Sequence, residues 1–293
     1  MGIMKIDAYN YIKERQVLWA KRRDIPLQGS KGDRGYPAFT LNLRRNLFEP
    51  LLSEVKCQFQ NADGKELGED KTPSKMQAVY SSSALVCNVF HYWKSHKDLT
   101  PIAHACHIPQ SNIQSLDFEA KLHIYDNIDR RRFPRDPNID VLLTYSKGQL
   151  KAIGIESKFA EAYSNRKHDG LRPEYIKMEE LWTNIYETYT LAKRISPEDS
   201  QFQYLHAAQL IKHILGLNHA YGKNGFRLIY LWYNVPFDDG YKHHLELERF
   251  TEIVQRDGIA FQANTYQEIL LNLAERQQQT HPKYIDYIVD RYL

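Results

Sequence analysis

Two short apolar runs near the middle of the chain constrain its fold more than any other feature. Residues 141–145 and 150–155 are rich in β-branched and aliphatic side chains, and the four residues between them include Gly148. This pattern is typical of a β-hairpin, so the two runs should pair as antiparallel strands. If the turn centres on Gly148, the residue just before the first strand lies opposite the residue just after the second run.

Those two residues are both acidic, and a lysine follows them. Asp140 should lie opposite Glu156, and Lys158 should share a face with Glu156 because side chains two apart in a strand point the same way. Neighbouring carboxylates repel each other unless a cation lies between them. Oxygen ligands suit a hard ion, so we expect Asp140 and Glu156 to bind Mg²⁺, with Mn²⁺ as a substitute.

Lys158 then has two open roles toward a water molecule that attacks phosphorus. It could orient the water and stabilise the charged transition state, or it could deprotonate the water. An unperturbed lysine titrates at about pH 10.4, so deprotonation would require the nearby metal to lower its pKa. The sequence leaves both roles open.

The same residues carry a resemblance to a known superfamily. Residues 137–140, reading Pro-Asn-Ile-Asp, and residues 155–158, reading Ile-Glu-Ser-Lys, resemble the two halves of the PD-(D/E)xK nuclease signature. The continuation 159–161 is similar to the lysine-aromatic-x-glutamate ending of a prokaryotic restriction-endonuclease-like branch. Upstream, 81–90 and Phe118-Glu119 are also similar to that branch.

The resemblance implies an α/β fold. It covers roughly residues 76–235 and implies a restriction-endonuclease-like core, in which helices flank a central mixed β-sheet. A polar connector at 61–74 precedes this region. We therefore predict a helical N-terminal extension at 1–74, a catalytic core at 75–240 and a mainly helical C-terminal extension at 241–293.

The resemblance also implies further site residues. Glu119 would be an additional acidic group that could bind a second metal ion, or it could equally be a glutamate paired with Lys121 or an arginine. Gln209 would contact substrate from the helix after the second strand. His206 and His213 lie near Gln209 in sequence, and we interpret them as ordinary surface or core histidines.

The distribution of charge favours a phosphodiester substrate. The formal net charge is only +3, but four arginines immediately precede Asp140. Basic side chains beside a carboxylate pair can neutralise backbone phosphates, whereas the alternative is a solvated basic loop. The candidate substrate contacts are Arg130, Arg131, Arg132 and Arg135.

Other classes of protein find little support. No apolar run approaches the roughly 20 residues that span a bilayer, and the first residues lack the apolar segment of a secretory signal, so we predict a cytoplasmic protein with no membrane partner. The glycine pair at 222–225 lacks the spacing of a phosphate-binding loop, so we expect no nucleotide triphosphate site. We predict that Cys57, Cys87 and Cys106 are buried reduced thiols.

The wider pattern predicts several helices and one more buried strand. We expect the strand at 226–235, covered on both faces, and a helix N-terminal capping box at 265–268. The terminal helix should use its tyrosines for packing or dimer contact. Helices are also predicted at 5–22, 75–94, 178–193 and 197–217.

The preferred interpretation is a metal-dependent restriction-type endonuclease that cuts double-stranded DNA. As a restriction enzyme it would be a homodimer, because twofold symmetry matches a palindromic target. One alternative is another nuclease of the same superfamily, acting in repair, in transposition or on RNA. The other is a non-catalytic DNA-binding module in which the acidic hairpin forms surface salt bridges.

Overall fold

The computed structural model describes residues 7–30, 37–68, 73–124, 136–164 and 166–293. The strands in these ranges are β1 (Leu27–Gln28), β2 (Phe39–Thr40), β3 (Ile113–Lys121), β4 (Asn138–Tyr145), β5 (Ala152–Lys158), β6 (Phe226–Trp232) and β7 (Phe261–Thr265). The α-helices are α1 (Ala8–Arg22), α2 (Ser53–Asn61), α3 (Ser82–Val86), α4 (Tyr92–Ser95), α5 (Thr100–Ala105), α6 (Pro173–Lys177), α7 (Tyr186–Arg194), α8 (Ala207–Tyr221), α9 (Asp238–Arg256), α10 (Tyr266–Gln277) and α11 (Pro282–Tyr292). Short 3₁₀ segments lie at Leu43–Arg45, Lys75–Gln77, Glu161–Tyr163 and Glu179–Trp182, and a π-helical turn lies at Cys87–His91.

A five-stranded mixed sheet forms the centre of the molecule. Its order is β3-β4-β5-β6-β7, with antiparallel pairing from β3 to β5 and parallel pairing from β5 to β7. Strands β5 and β6 are almost entirely buried because helices cover both faces. The predicted restriction-endonuclease-like α/β fold is confirmed.

The hairpin of β4 and β5 has the predicted register. Val141 pairs with Ile155, and Thr144 pairs with Ala152. Gly148 adopts a φ of 97°, a left-handed conformation that glycine accepts without the steric penalty of a side chain. The turn chemistry and the two-residue alternation are therefore enough to predict this register from local sequence.

Three helices differ from the pattern that the sequence predicts. The helix predicted at 178–193 begins only at Tyr186, after a 3₁₀ segment at Glu179–Trp182. The segment 75–94 is broken into a 3₁₀ turn, α3, the π turn and α4. Polar side chains in the π turn bind the preceding chain: Asn88 Oδ1 accepts from the Phe48 amide at 2.8 Å, and His91 Nε2 accepts from the Leu52 amide at 3.0 Å. The two residues in each contact lie far apart in sequence, so hydrophobic periodicity does not predict the contact.

The predicted helix at 197–217 begins ten residues later, at Ala207. Side-chain carboxylates hold the segment before it in an extended loop. Asp199 Oδ1 accepts from the amides of Gln201 and Phe202, at 2.8 and 3.1 Å. Glu246 of α9 accepts from the next three amides, at residues 203–205. An amide that binds a carboxylate is not available for a helical hydrogen bond, so the helix begins only after these residues.

Residues from both ends of the chain join the same hydrophobic core as the central sheet. Tyr284 and Tyr292 of the terminal helix are fully buried, and the Tyr284 hydroxyl donates to the Val89 carbonyl at 3.0 Å. These tyrosines therefore pack inside their own chain. Strand β7 completes the central sheet from within 241–293, and the division of the chain into three parts stays a prediction.

The three cysteines differ in their burial. Cys87 and Cys106 are buried free thiols, as predicted, but Cys57 is exposed, so that prediction was wrong. Helix α2 turns Cys57 outward because Val55 and Phe59 form its buried face. Within the described ranges, no helix is long and apolar enough to cross a bilayer.

Candidate active site

The end of β5 holds a buried carboxylate against a lysine. Glu156 is only 1% exposed, and Lys158 Nζ donates to its Oε1 at 2.6 Å. The strand continues to Lys158, so both side chains lie on the same face, as the alternation predicts. The bond is charge-assisted, which makes it stronger than a bond between neutral groups.

Asp140 joins this pair from the neighbouring strand. The register of the hairpin carries Asp140 opposite Glu156, and Asp140 Oδ2 accepts from the backbone amide of Ser157 at 2.7 Å. Burial raises the pKa of Asp140 well above its usual value, and the carboxylates of Glu156 and Glu119 raise it further. The structure thus brings Asp140, Glu156 and Lys158 into one cluster, although their catalytic roles stay a prediction.

Helix α8 adds two contacts to the cluster. Gln209 Oε1 accepts from Lys158 Nζ at 3.0 Å, and His213 Nε2 lies 2.7 Å from Glu156 Oε2. Gln209 therefore lies beside the site, and its proposed contact with substrate is untested. The interpretation of His213 as an ordinary histidine missed its contact with Glu156. Its spacing of four residues from Gln209, which puts both on one helix face, was the available signal.

Glu156 and Lys158 each stabilise the ionised form of the other. Burial alone would raise the pKa of Glu156, but Lys158 and His213 outweigh it and lower that pKa to about 2. Burial alone would lower the pKa of Lys158, but the carboxylates of Glu156, Glu161 and Asp140 raise it overall. The arrangement therefore favours a carboxylate and an ammonium group in contact.

Glu119 occupies the adjoining strand in a strained conformation. Phe118 pairs with Val141 and Ala120 pairs with Ile139, which aligns Glu119 with Asp140. The φ of Glu119 is 50°, a value that residues with a side chain rarely adopt. Such strain is concentrated at functional sites.

Glu119 is also electrostatically linked to the cluster. Burial raises its pKa to about 7, with further contributions from the carboxylates of Glu66 and Glu156. Lys121, one of the partners that the sequence allowed for Glu119, instead contacts Asp63 at 2.8 Å. Glu119, Asp140 and Glu156 thus form an acidic row across three adjacent strands.

A cleft of about 830 Å³ lies near this acidic row, and none of the three carboxylates of the row lines it. Glu161, which interacts with Lys158, and Glu66, which interacts with Glu119, both line it. Lys75 and Arg166 add positive charge to the lining. The predicted contacts Arg130, Arg131, Arg132 and Arg135 lie outside the described residues.

The carboxylates of Asp140 and Glu156 suit a hard divalent cation whose remaining ligands are water and substrate oxygens. Within the ranges that the structure describes, no three His, Cys, Asp or Glu side chains are arranged to hold a metal ion by themselves. Mg²⁺ usually needs only one or two carboxylates, because waters and substrate phosphate complete its shell. Each carboxylate oxygen has two lone pairs, so the hydrogen bonds of Asp140 and Glu156 leave acceptor capacity. Asp140 and Glu156 therefore fit such an ion.

A family comparison covers nearly the whole chain. A family model described as restriction endonuclease associating with ARP matches residues 13–293, which include β4, β5 and α8. No curated protein and no solved structure matches the chain. The expected likeness to a restriction-endonuclease-like family is confirmed, and it indicates a nuclease. The chain belongs to the family of restriction endonucleases associating with ARP.

Proposed function

We propose that this protein is a Mg²⁺-dependent endonuclease of the PD-(D/E)xK type that hydrolyses phosphodiester bonds in double-stranded DNA, with Mn²⁺ as a substitute ion. The observation that carries the proposal is the convergence of Asp140, Glu156 and Lys158 at one end of a hairpin, with Lys158 Nζ 2.6 Å from Glu156 Oε1. Carboxylates beside a lysine can serve both a cation and an attacking water.

Each residue has a defined part in the proposed reaction. Asp140 and Glu156 would hold Mg²⁺, which stabilises negative charge on the phosphate when bound. Lys158 would orient the attacking water and donate hydrogen bonds to the phosphate oxygens on which negative charge develops. Gln209 accepts from Lys158 Nζ at 3.0 Å and so limits the positions of the ammonium group. Glu119 is the candidate for an additional acidic group.

Two features support a nucleic acid substrate: the cleft near the acidic row and the basic residues around it. The cleft next to Glu161 could admit part of a nucleic acid strand, and its lining contains the cations Lys75 and Arg166. The arginine-rich segment 130–135 would neutralise backbone phosphates. A homodimer would bring two such sites to opposite strands of a palindromic target.

Cleavage of supercoiled plasmid tests the proposal. Wild-type protein should cut in Mg²⁺ and stop cutting when EDTA is added. Asp140→Asn and Lys158→Ala should each lower the rate by at least about 100-fold, a loss on the scale of removing a group that stabilises the transition state. Both variants should still bind the same DNA in a fluorescence anisotropy assay, since they leave the basic surface intact.

Lys121→Ala is the matched control, because Lys121 is a partly exposed lysine that contacts Asp63. It should cut at the wild-type rate. Cutting that persists in EDTA or in both site variants would contradict the proposal. Binding without any cutting would favour the non-catalytic module, and cutting of RNA but not DNA would favour an RNA-processing relative.

A further inference from the structure

Glu156 is held from two sides. Its Oε1 accepts from Lys158 on the same strand at 2.6 Å, and its Oε2 lies 2.7 Å from Nε2 of His213, which comes 57 residues later on α8. Both Glu156 and His213 are only 1% exposed. The contact is therefore shielded from water, and a hydrogen bond there is stronger than the same bond at the surface.

The direction of this bond follows from its chemistry. An ionised carboxylate only accepts hydrogen bonds, so His213 Nε2 must carry the hydrogen. The other ring nitrogen, Nδ1, is buried and has no hydrogen-bond partner. Buried polar atoms are usually paired, so a histidine that only fills the core would be expected to satisfy both nitrogens. Within the described part of the chain, the polar contact of this ring is directed at Glu156 alone.

We propose that His213 is a positioning residue for the nuclease reaction. It fixes the rotation of the Glu156 carboxylate while Lys158 binds the opposite oxygen. This inference rests on the proposed function, because the orientation of Glu156 matters only if that carboxylate serves the reaction.

A second contact is needed because one is not enough to orient a carboxylate. The last torsion of a glutamate side chain has broad preferences, so a bond to one oxygen leaves the plane of the group free to turn. Donors on both oxygens define that plane. The partners that orient metal-binding side chains typically contribute 10–100-fold to metal affinity or activity.

The inference is tested by two amides that differ by one methylene. His213→Gln places an N–H near the position of Nε2, whereas the shorter side chain of His213→Asn cannot reach Glu156. We expect His213→Asn to lower kcat about 10–100-fold and to weaken Mn²⁺ binding by a similar factor. His213→Gln should recover most of both losses, and KM for DNA should change less than about twofold in each variant.

Mn²⁺ binding is measured by electron paramagnetic resonance on the protein with uncleavable DNA, so it does not depend on turnover. His219→Leu is the matched control, since His219 is exposed near the end of the same helix, and it should behave as wild type. Thermal unfolding of each variant sets an assay temperature at which all of them are folded.

Wild-type kcat and Mn²⁺ affinity in His213→Asn would overturn the inference, and so would equal losses in the Asn and Gln variants. These results differ from a failure of the proposed function itself. If the wild type does not cut, or if cutting does not need Asp140, the proposed function fails. If the wild type cuts with Asp140 but His213→Asn is fully active, only the role of His213 fails.

Discussion

Asp140 Oδ2 accepts a hydrogen bond from the backbone amide of Ser157 at 2.7 Å. The bond joins the start of β4 to the end of β5. The acceptor is a side-chain oxygen, which an asparagine at this position would also have. The charge of Asp140 can therefore be removed without removing the bond. This separates the chemical role of the side chain from its structural role.

Asp140→Asn should be at least as stable as wild type, because burial and the neighbouring carboxylates disfavour a charge at this position. Asp140→Ala should lose about 1–3 kcal/mol, since it leaves the Ser157 amide without its acceptor. Urea unfolding followed by circular dichroism measures both. Equal stability of the two variants would show that the hydrogen bond contributes nothing.

Glu246 anchors the segment that leads into α8. Its Oε1 accepts from the Gln203 amide at 2.8 Å, and its Oε2 accepts from the amides of Tyr204 and Leu205 at 2.9 Å each. Glu246→Ala leaves three amides without this acceptor, and it should lower the free energy of unfolding by about 1–3 kcal/mol. Hydrogen exchange should accelerate at residues 203–205.

Glu248→Ala serves as the control on the same helix. Glu248 is exposed and contacts His244 at 3.2 Å, so its loss should change stability by less than about 0.5 kcal/mol. Similar losses in both variants would mean that Glu246 acts through general charge and not through the amides.

Arg291 is a buried cation that ties distant segments together without a carboxylate partner in the described hydrogen bonds. Its guanidinium donates to the Asn46 carbonyl at 2.8 Å, to the Val79 carbonyl at 3.1 Å and to Gln16 Oε1 at 3.1 Å. Arg291→Met leaves these buried acceptors without donors and should cost on the order of 3 kcal/mol or more in the free energy of unfolding.

The surface pair at the same helix provides the comparison. Arg23 Nη2 lies 2.9 Å from Asp290 Oδ2, and Arg23 is 53% exposed. Arg23→Met should cost less than about 1 kcal/mol, because water screens an exposed pair. Urea denaturation measures both variants, and a loss at Arg291 no larger than at Arg23 would contradict the structural role of the buried guanidinium.

His243 should make stability fall as the solution becomes acidic. It is fully buried and lies 3.0 Å from the Tyr230 hydroxyl, among the rings of Tyr163, Tyr204 and Trp232. Burial lowers its pKa from 6.5 to about 3, and the nearby basic side chains of Lys158, His168 and His244 add to the effect.

The unfolded chain takes up a proton at His243 below about pH 6.5, whereas the folded chain does not until about pH 3. The unfolded state binds more protons between these values, so this histidine should remove about 2 kcal/mol of stability between pH 7 and pH 5. In His243→Gln that part of the decline should disappear. His244→Gln, at the exposed neighbour, should keep the wild-type decline in urea unfolding across the same pH range.

Sequence reasoning succeeded where the interactions are local. The hairpin register follows from a short turn and from strand alternation, and the capping box of α10 is a contact between Thr265 and Glu268, three residues apart. It failed where polar side chains make contacts that hydrophobic periodicity does not report. Asp199 accepts from the Gln201 amide inside the helix predicted at 197–217, so that amide is not used as the pattern predicts. Asn88 accepts from the amide of Phe48, which lies 40 residues earlier in the chain.

The sequence alone determined that Asp140, Glu156 and Lys158 meet, because pairing across a tight hairpin and the two-residue repeat of a strand leave little freedom. Tertiary structure decided which groups surround them. His213 reaches Glu156 only because α8 packs over β5, and Glu119 joins the row only because β3 pairs with β4. Those placements depend on burying apolar faces that are far apart in the chain, and many packings are compatible with the same local pattern until the whole core forms.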